Sequence, residues 1–123
     1  MGSLTTVLLI VGRIFISVFV LISGVTKIAR NKTMVEYAKS KKMPLPNLAI
    51  AGAALIELAG GICVAVGFHA PIAAVVLFVY LIPTTLVFHD FWAAPEAERQ
   101  NQAVHFMKNL AIMGGLLILA SIM

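Results

Sequence analysis

The sequence predicts an all-α, polytopic integral membrane protein, folded as a four-transmembrane-helix bundle. Hydrophobic residues make up 61% of the 123 residues and charged residues only 11%, whereas a soluble domain usually carries about 25% charged residues. The apolar residues fall into four segments, and each is long enough, or nearly so, to cross the hydrocarbon core as a helix. We therefore expect one transmembrane domain over residues 1–123, in contact with the lipid bilayer on all sides.

The first two predicted spans cover residues 4–28 and 47–68. The first contains Arg13 and runs into a basic, polar stretch. The second contains a single carboxylate, Glu57, close to its middle. A carboxylate at that depth is costly unless it is paired, protonated or turned toward a polar cavity. The sequence therefore requires a partner for Glu57.

The other two predicted spans cover residues 71–88 and 104–121. Their connection, residues 89–103, is polar apart from aromatic residues such as Trp92, which suits a membrane interface. Both spans are short, and the chain between them is predicted to be a loop.

The basic residues predict the orientation in the membrane. Six of the nine Lys and Arg residues fall between residues 27 and 42. The positive-inside rule then places residues 29–46 and 89–103 in the cytoplasm and both termini outward. Because the positive charge is juxtamembrane, it indicates a topology signal or a contact with anionic lipid, and the net charge of +4 does not predict nucleic-acid binding. Residues 33–42 are expected to form a short interfacial helix with Met34, Val35 and Tyr37 toward lipid.

Arg13 is the expected partner of Glu57. Each lies roughly 14–15 Å from the start of its own predicted span, so antiparallel helices would bring both near the midplane. Ser17, Val20, Gly24 and Lys27 continue the helical face of Arg13. The predicted ion pair has either a functional role or only the structural role of fixing the helix register.

A second polar group is predicted at the cytoplasmic ends of the helices. Its members are Lys27, His89, Asp90, Gln102, His105, Lys108 and Asn109. The last three share one helix face, because they are spaced i, i+3 and i+4. Such a group could bind an anionic or quinone-like head group or transfer protons, or its lysines could simply extend to the interface. It is not a complete ligand set for a metal, so no metal site is predicted.

The motifs resemble one family over nearly the whole chain. They are Arg13 followed by SGVTK at 23–27, Glu57-x-x-Gly60-Gly61, FHDFW at 88–92 and HFMKNLAIMGGLLILA at 105–120. In this order and spacing they are similar to the DoxX family of small four-helix bacterial membrane proteins. The family pattern maps onto Arg13, Gly24, Lys27, Glu57, His89, Lys108 and Asn109. The resemblance implies a protein of the bacterial inner membrane.

The resemblance implies more than one function. The wider group includes a subunit of a thiosulfate:quinone oxidoreductase, partners in membrane oxidoreductase complexes linked to oxidative stress, and proteins that assist disulfide formation or membrane-protein assembly. Because Cys63 is the single cysteine, dithiol chemistry by this chain alone is disfavoured.

Two functions stay open on the sequence. The first is a redox-associated subunit that binds a quinone, the one cofactor suggested, and works with partner oxidoreductase subunits. The second is a non-catalytic scaffold or assembly factor. A small transporter is a weaker third idea, and it would need a homo-oligomer to build a path. The sequence leaves open whether the chain is itself an enzyme.

Overall fold

The computed structural model describes residues 2–123, and this part of the chain is helical throughout, apart from its turns. The α-helices are α1 (Ser3–Ala29), α2 (Asn31–Ser40), α3 (Pro46–Val66), α4 (Ala70–Phe88) and α5 (Glu96–Ile122), and a 3-10 turn at Phe91–Ala93 precedes α5. By length and composition α1, α3, α4 and α5 can each cross a membrane. The predicted fold class is therefore confirmed.

The four long helices alternate in direction, which gives the bundle two different ends. The loop end carries α2 and the connections α2–α3 and α4–α5. The terminal end carries both chain termini and the α3–α4 turn. Between them α1 packs mainly on α3, α3 on α4 and α4 on α5, while α1 and α5 contact each other only lightly. A seam therefore runs between α1 and α5.

Adjacent glycines let α3 lie close to both of its neighbours. A Cβ atom on Gly61 would lie 2.9 Å from Cδ2 of Leu21 on α1, and one on Gly60 would lie 2.9 Å from Cδ2 of Leu77 on α4. Leu77 and Val64 are almost completely buried in the core formed there. The small residues next to Glu57 thus act as predicted, by allowing close helix packing.

The short helix α2 packs on the protein, contrary to the expectation that its apolar side faces lipid. Val35 and Ala38 are buried against Ile50 of α3, and the Tyr37 hydroxyl donates a 2.5 Å hydrogen bond to the Phe88 carbonyl. The reason is that α3 extends further at the loop end than α1 does. Without α2 the first turns of α3 would be uncovered, and α2 packs over them.

The last helix begins at Glu96, earlier than the predicted residue 104. Pro95 stands at the N-cap, and Glu96 and Glu98 lie in the first turn, where carboxylates favour the positive end of the helix dipole. These turns are hydrophilic and exposed. Hydropathy detects the part of a helix that suits lipid, so it missed them.

Candidate functional site

Glu57 is paired with Lys27 and Ser23, not with Arg13. The Lys27 ammonium lies 2.9 Å from Oε1 of Glu57, an ion-pair distance without hydrogen-bond geometry. The Ser23 hydroxyl donates to Oε2 at 2.9 Å, and Lys27 Nζ donates to Ser23 Oγ at 2.9 Å. Glu57 is only 4% exposed and Lys27 only 9%. The three side chains form a polar triad in which Glu57 and Lys27 are buried and Ser23 is half-buried.

The predicted Arg13–Glu57 pair is wrong because the helix ends do not lie at the same level. Glu57 is about 16 Å along α3 from Pro46, and its partner Lys27 is near the end of α1. Side chains on a helix also lean toward its N-terminus. Because α1 and α3 are antiparallel, Lys27 and Glu57 lean toward each other, whereas Arg13 leans away.

Gly24 brings the backbone of α1 against α3 at the level of the triad. A Cβ atom there would lie 2.9 Å from Cγ of Leu58 and 3.3 Å from Cβ of Glu57. The predicted stripe of Ser17, Val20, Gly24 and Lys27 is buried as a whole. The face of α1 was therefore predicted correctly, although the residue that pairs with Glu57 was not.

Tyr80 on α4 carries a further polar group into the bundle. Its hydroxyl is buried without a hydrogen-bond partner among residues 2–123, and α4 packs on α3, the helix that carries Glu57. The sequence reasoning gave no role to Tyr80 or Ser23. The available signal was a lone tyrosine in the middle of an apolar span, because a buried tyrosine hydroxyl usually has a polar neighbour.

The two predicted histidines meet at the loop end. The His89 and His105 rings are stacked, with centroids 5.2 Å apart. Nδ1 of His89 lies 3.0 Å from Oε1 of Gln102, and Gln102 Nε2 donates to the Tyr37 hydroxyl at 3.4 Å. This half-buried cluster links α2, α4 and α5.

Asn109 and Asp90, two further residues of the predicted group, hold elements together. Asn109 is buried, and its amide donates to Oγ1 of Thr85 at 3.0 Å, which joins α5 to α4. Asp90 accepts a 2.6 Å hydrogen bond from Lys41, just after α2. This bond raises the pKa of Lys41 above its ordinary value. Both contacts make the loop end more rigid.

A cavity of about 230 Å³ lies between α1, α2 and α5, and we call it the lysine cavity. Its polar lining is Ser23, Thr26, Lys27, His105 and Lys108, and its apolar lining is Phe19, Ile22 and Met34. Lys108 is exposed, with Nζ 5.2 Å from the Phe19 ring centroid. The cavity touches the triad through Ser23 and Lys27 and the histidine cluster through His105. The two polar layers therefore border one space.

The lining determines which chemistry the lysine cavity can accommodate. Two ammonium groups and an imidazole are hydrogen-bond donors for an anion or for carbonyl oxygens, and the apolar residues can contact a ring. Among residues 2–123 no three His, Cys, Asp or Glu side chains are grouped so as to hold a metal ion.

Comparison with known proteins gave two matches. The family model described as DoxX matches residues 8–90. The chain is also similar to the inner membrane protein YphA of Escherichia coli (strain K12), at 29% identity over 119 residues, which cover 97% of this chain and 85% of that protein. No solved structure matches. The residues matched by the family model include the Lys27–Glu57 pair and leave α5 outside.

Proposed function

The chain belongs to the DoxX family, and from that premise we propose that it is a redox-associated membrane subunit that binds a quinone-like or other amphipathic molecule in the lysine cavity. It is a multi-pass protein of the inner membrane, given its four apolar spans and its likeness to an inner membrane protein. The cluster of basic residues supports a cytoplasmic loop end. The cavity would then open in the cytoplasmic leaflet.

The single observation that carries the proposal is the lining of the lysine cavity. Lys108 and His105 on α5 face Lys27 on α1 across a space bordered by Phe19, Ile22 and Met34. Such donors suit the ring oxygens of a quinone, and the apolar residues suit its ring. Because α1 and α5 contact each other only lightly, an isoprenoid tail can leave along the seam into lipid.

The chain's own residues would hold the head group and exchange protons with it. Histidine is the side chain best suited to proton exchange near neutral pH, and His105 lines the cavity. A bound quinone would supply the electron chemistry. The electrons would pass to or from the cofactor of a partner oxidoreductase, which we place at the loop end, where Lys32, Lys39 and Lys42 are exposed.

Binding of a short-tailed ubiquinone to the purified protein in nanodiscs tests the proposal. Lys108→Met removes one charged donor from an exposed position, so we expect binding at least about tenfold weaker. Lys32→Met is the matched control, because it removes the same charge from the exposed surface of α2. If both variants bind the quinone like the wild type, or if the wild type does not bind it, the proposal is wrong.

A non-catalytic scaffold or assembly factor is the second candidate. The observation in its favour is that Tyr37 and the Lys41–Asp90 pair fix α2 to the bundle while Lys32 and Lys39 remain exposed. A scaffold would lose its protein partners when these two lysines are changed to Glu and would keep them in Lys108→Met. Both functions place partners at these lysines, so the activity of the co-purified complex distinguishes them: the redox subunit needs Lys108 for activity of the complex, and a scaffold does not.

A further inference from the structure

A second and larger cavity opens along the seam at the terminal end. It has a volume of about 400 Å³ and lies between α1 and α5; we call it the arginine cleft. Aliphatic side chains such as Leu8, Leu9, Ile118 and Ile122 line most of it, and Gly12 lies within the lining. Of the described residues, 2–123, Arg13 is the one charged residue in its lining. The cleft is therefore an apolar groove with a cation in it.

Arg13 has no partner among residues 2–123. It takes part in none of the ion pairs formed there, and its Nε is buried without a hydrogen bond. All side-chain carboxylates lie elsewhere: Glu57 is held by the triad, and Glu36, Asp90, Glu96 and Glu98 are at the loop end. The C-terminal end of α3 near Gly67 offers the guanidinium only a partial negative charge, so a full counter-charge is missing among these residues.

The guanidinium lies toward the terminal end. It approaches Gly67, the C-cap of α3, where the backbone is left-handed at φ +80°, and a Cβ atom would lie 2.8 Å from Nη1 of Arg13. Glycine therefore clears the space that the guanidinium fills. Arg13 is about 15 Å along α1 from Ser3, and its leaning side chain brings the charge closer to the interface at that end.

We infer that the arginine cleft binds an anionic phospholipid of the leaflet at the terminal end, with the phosphate on Arg13 and an acyl chain between α1 and α5. A guanidinium matches a phosphate in charge and can bind it through two parallel hydrogen bonds. The aliphatic walls match an acyl chain. Lipid phosphates occupy the interface toward which Arg13 leans, so a phospholipid fits the position better than a free anion in water.

This lipid site is separate from the lysine cavity. The two cavities share no lining residue and lie at opposite ends of the seam. A lipid in the cleft would complete the weak contact between α1 and α5 without touching the proposed quinone site. Either proposal can therefore fail while the other stands.

Native mass spectrometry of the delipidated protein tests the inference. Phosphatidylglycerol and phosphatidylcholine with identical acyl chains are added in turn. We expect one tightly held phosphatidylglycerol, preferred by about tenfold. Arg13→Gln should abolish the preference, whereas Arg30→Gln, an exposed arginine at the loop end, should keep it. Equal binding of the two lipids by the wild type, or an unchanged preference in Arg13→Gln, would overturn the inference.

A second variant keeps the charge and fills the groove. A Cβ atom on Gly12 or on Gly114 meets nothing within 4 Å in the described part of the chain, so both positions are open at Cβ, but only Gly12 lines the cleft. Gly12→Leu should lose the tightly held lipid, and Gly114→Leu should retain it. Retention in Gly12→Leu, or displacement of the lipid by an equimolar fatty acid, would contradict a phospholipid site.

Discussion

Two cationic side chains on α1 have different surroundings, because one has a carboxylate partner and the other does not. Lys27 and Arg13 are 14 positions apart on the same face of α1, yet Lys27 is neutralised within the protein and Arg13 is not. Around Lys27, Gly24 brings α3 close and supplies Glu57. Around Arg13 the seam opens into the arginine cleft. The paired charge of Lys27 thus holds two helices together, whereas the unpaired charge of Arg13 marks the place for a ligand.

Removing one member of the Lys27–Glu57 pair should have the largest effect. Glu57→Leu leaves a buried ammonium without a counter-ion, and we expect a loss of about 3–5 kcal/mol in the free energy of unfolding. Reversible unfolding in mixed detergent measures it. Lys27→Met combined with Glu57→Leu should recover most of the loss, because neither charge is then left alone. Equal loss in the single and double variants would contradict a direct pair.

The serines of α1 provide the next test. Ser23→Ala removes a hydrogen bond to the Glu57 carboxylate, which we expect to cost about 1.5–3 kcal/mol of unfolding free energy. Ser17→Ala is the control on the same face, since the buried Ser17 hydroxyl has no hydrogen-bond partner within residues 2–123. It should change stability by less than about 0.5 kcal/mol or increase it. The same unfolding assay applies, and a larger loss from Ser17→Ala would show that the triad is not the centre of stability.

The glycines beside the two cations should respond in opposite directions. Gly24→Ala places a methyl group 2.9 Å from Cγ of Leu58, so the Leu58 side chain or one of the two helices must shift, which we expect to cost about 1–2 kcal/mol of unfolding free energy. Gly12→Ala meets nothing within 4 Å and should stabilise the helix by about 0.5–1 kcal/mol. Thermal unfolding of both variants in the same detergent measures whether the two stabilities change in opposite directions. A stabilising Gly24→Ala would mean that α1 and α3 are not closely packed at the triad.

The smallest effect should come from the Lys41–Asp90 pair, a lysine–carboxylate contact outside the packed spans. Its side chains are each 22% exposed, so solvent screens the pair and we expect Lys41→Met to cost about 0–1 kcal/mol. The raised pKa of Lys41 means that its stabilisation is complete at neutral pH and is lost as the pH rises above 10.5 through the raised value. The unfolding free energies of the wild type and of Lys41→Met should differ at pH 8 and become equal at high pH. A difference that grows with pH would contradict this.

Much of the fold could be predicted because hydropathy and helical periodicity act locally. The four spans and the buried stripe of Ser17, Gly24 and Lys27 follow from which residues suit lipid and which share a face. The start of α5 at Glu96 could not be predicted, since a helix that continues into water carries no apolar signal. The packing of α2 on the bundle could not be predicted either, because its apolar residues suit a protein surface as well as a lipid interface.

The sequence predicted which residues form the site better than it predicted which of them pair with each other. His89 and His105 were expected together and are stacked. The partner of Glu57 depends on how far α3 extends beyond α1 at the loop end. That offset is a tertiary property, and the spacing of residues within either helix does not give it. The leaning of side chains toward the helix N-terminus was the physical rule available from the sequence, and it favours Lys27 over Arg13.

Double-mutant cycles for the two cations with Glu57 test the central claim most directly. Unfolding free energies would be measured for Lys27→Met, Arg13→Gln and Glu57→Gln, and for each cation variant combined with Glu57→Gln. We predict a coupling energy of about 0.5–3 kcal/mol for Lys27 with Glu57, and additivity within about 0.5 kcal/mol for Arg13 with Glu57, since Arg13 lies at the level of Gly67. A strong coupling of Arg13 to Glu57, with none for Lys27, would contradict the account.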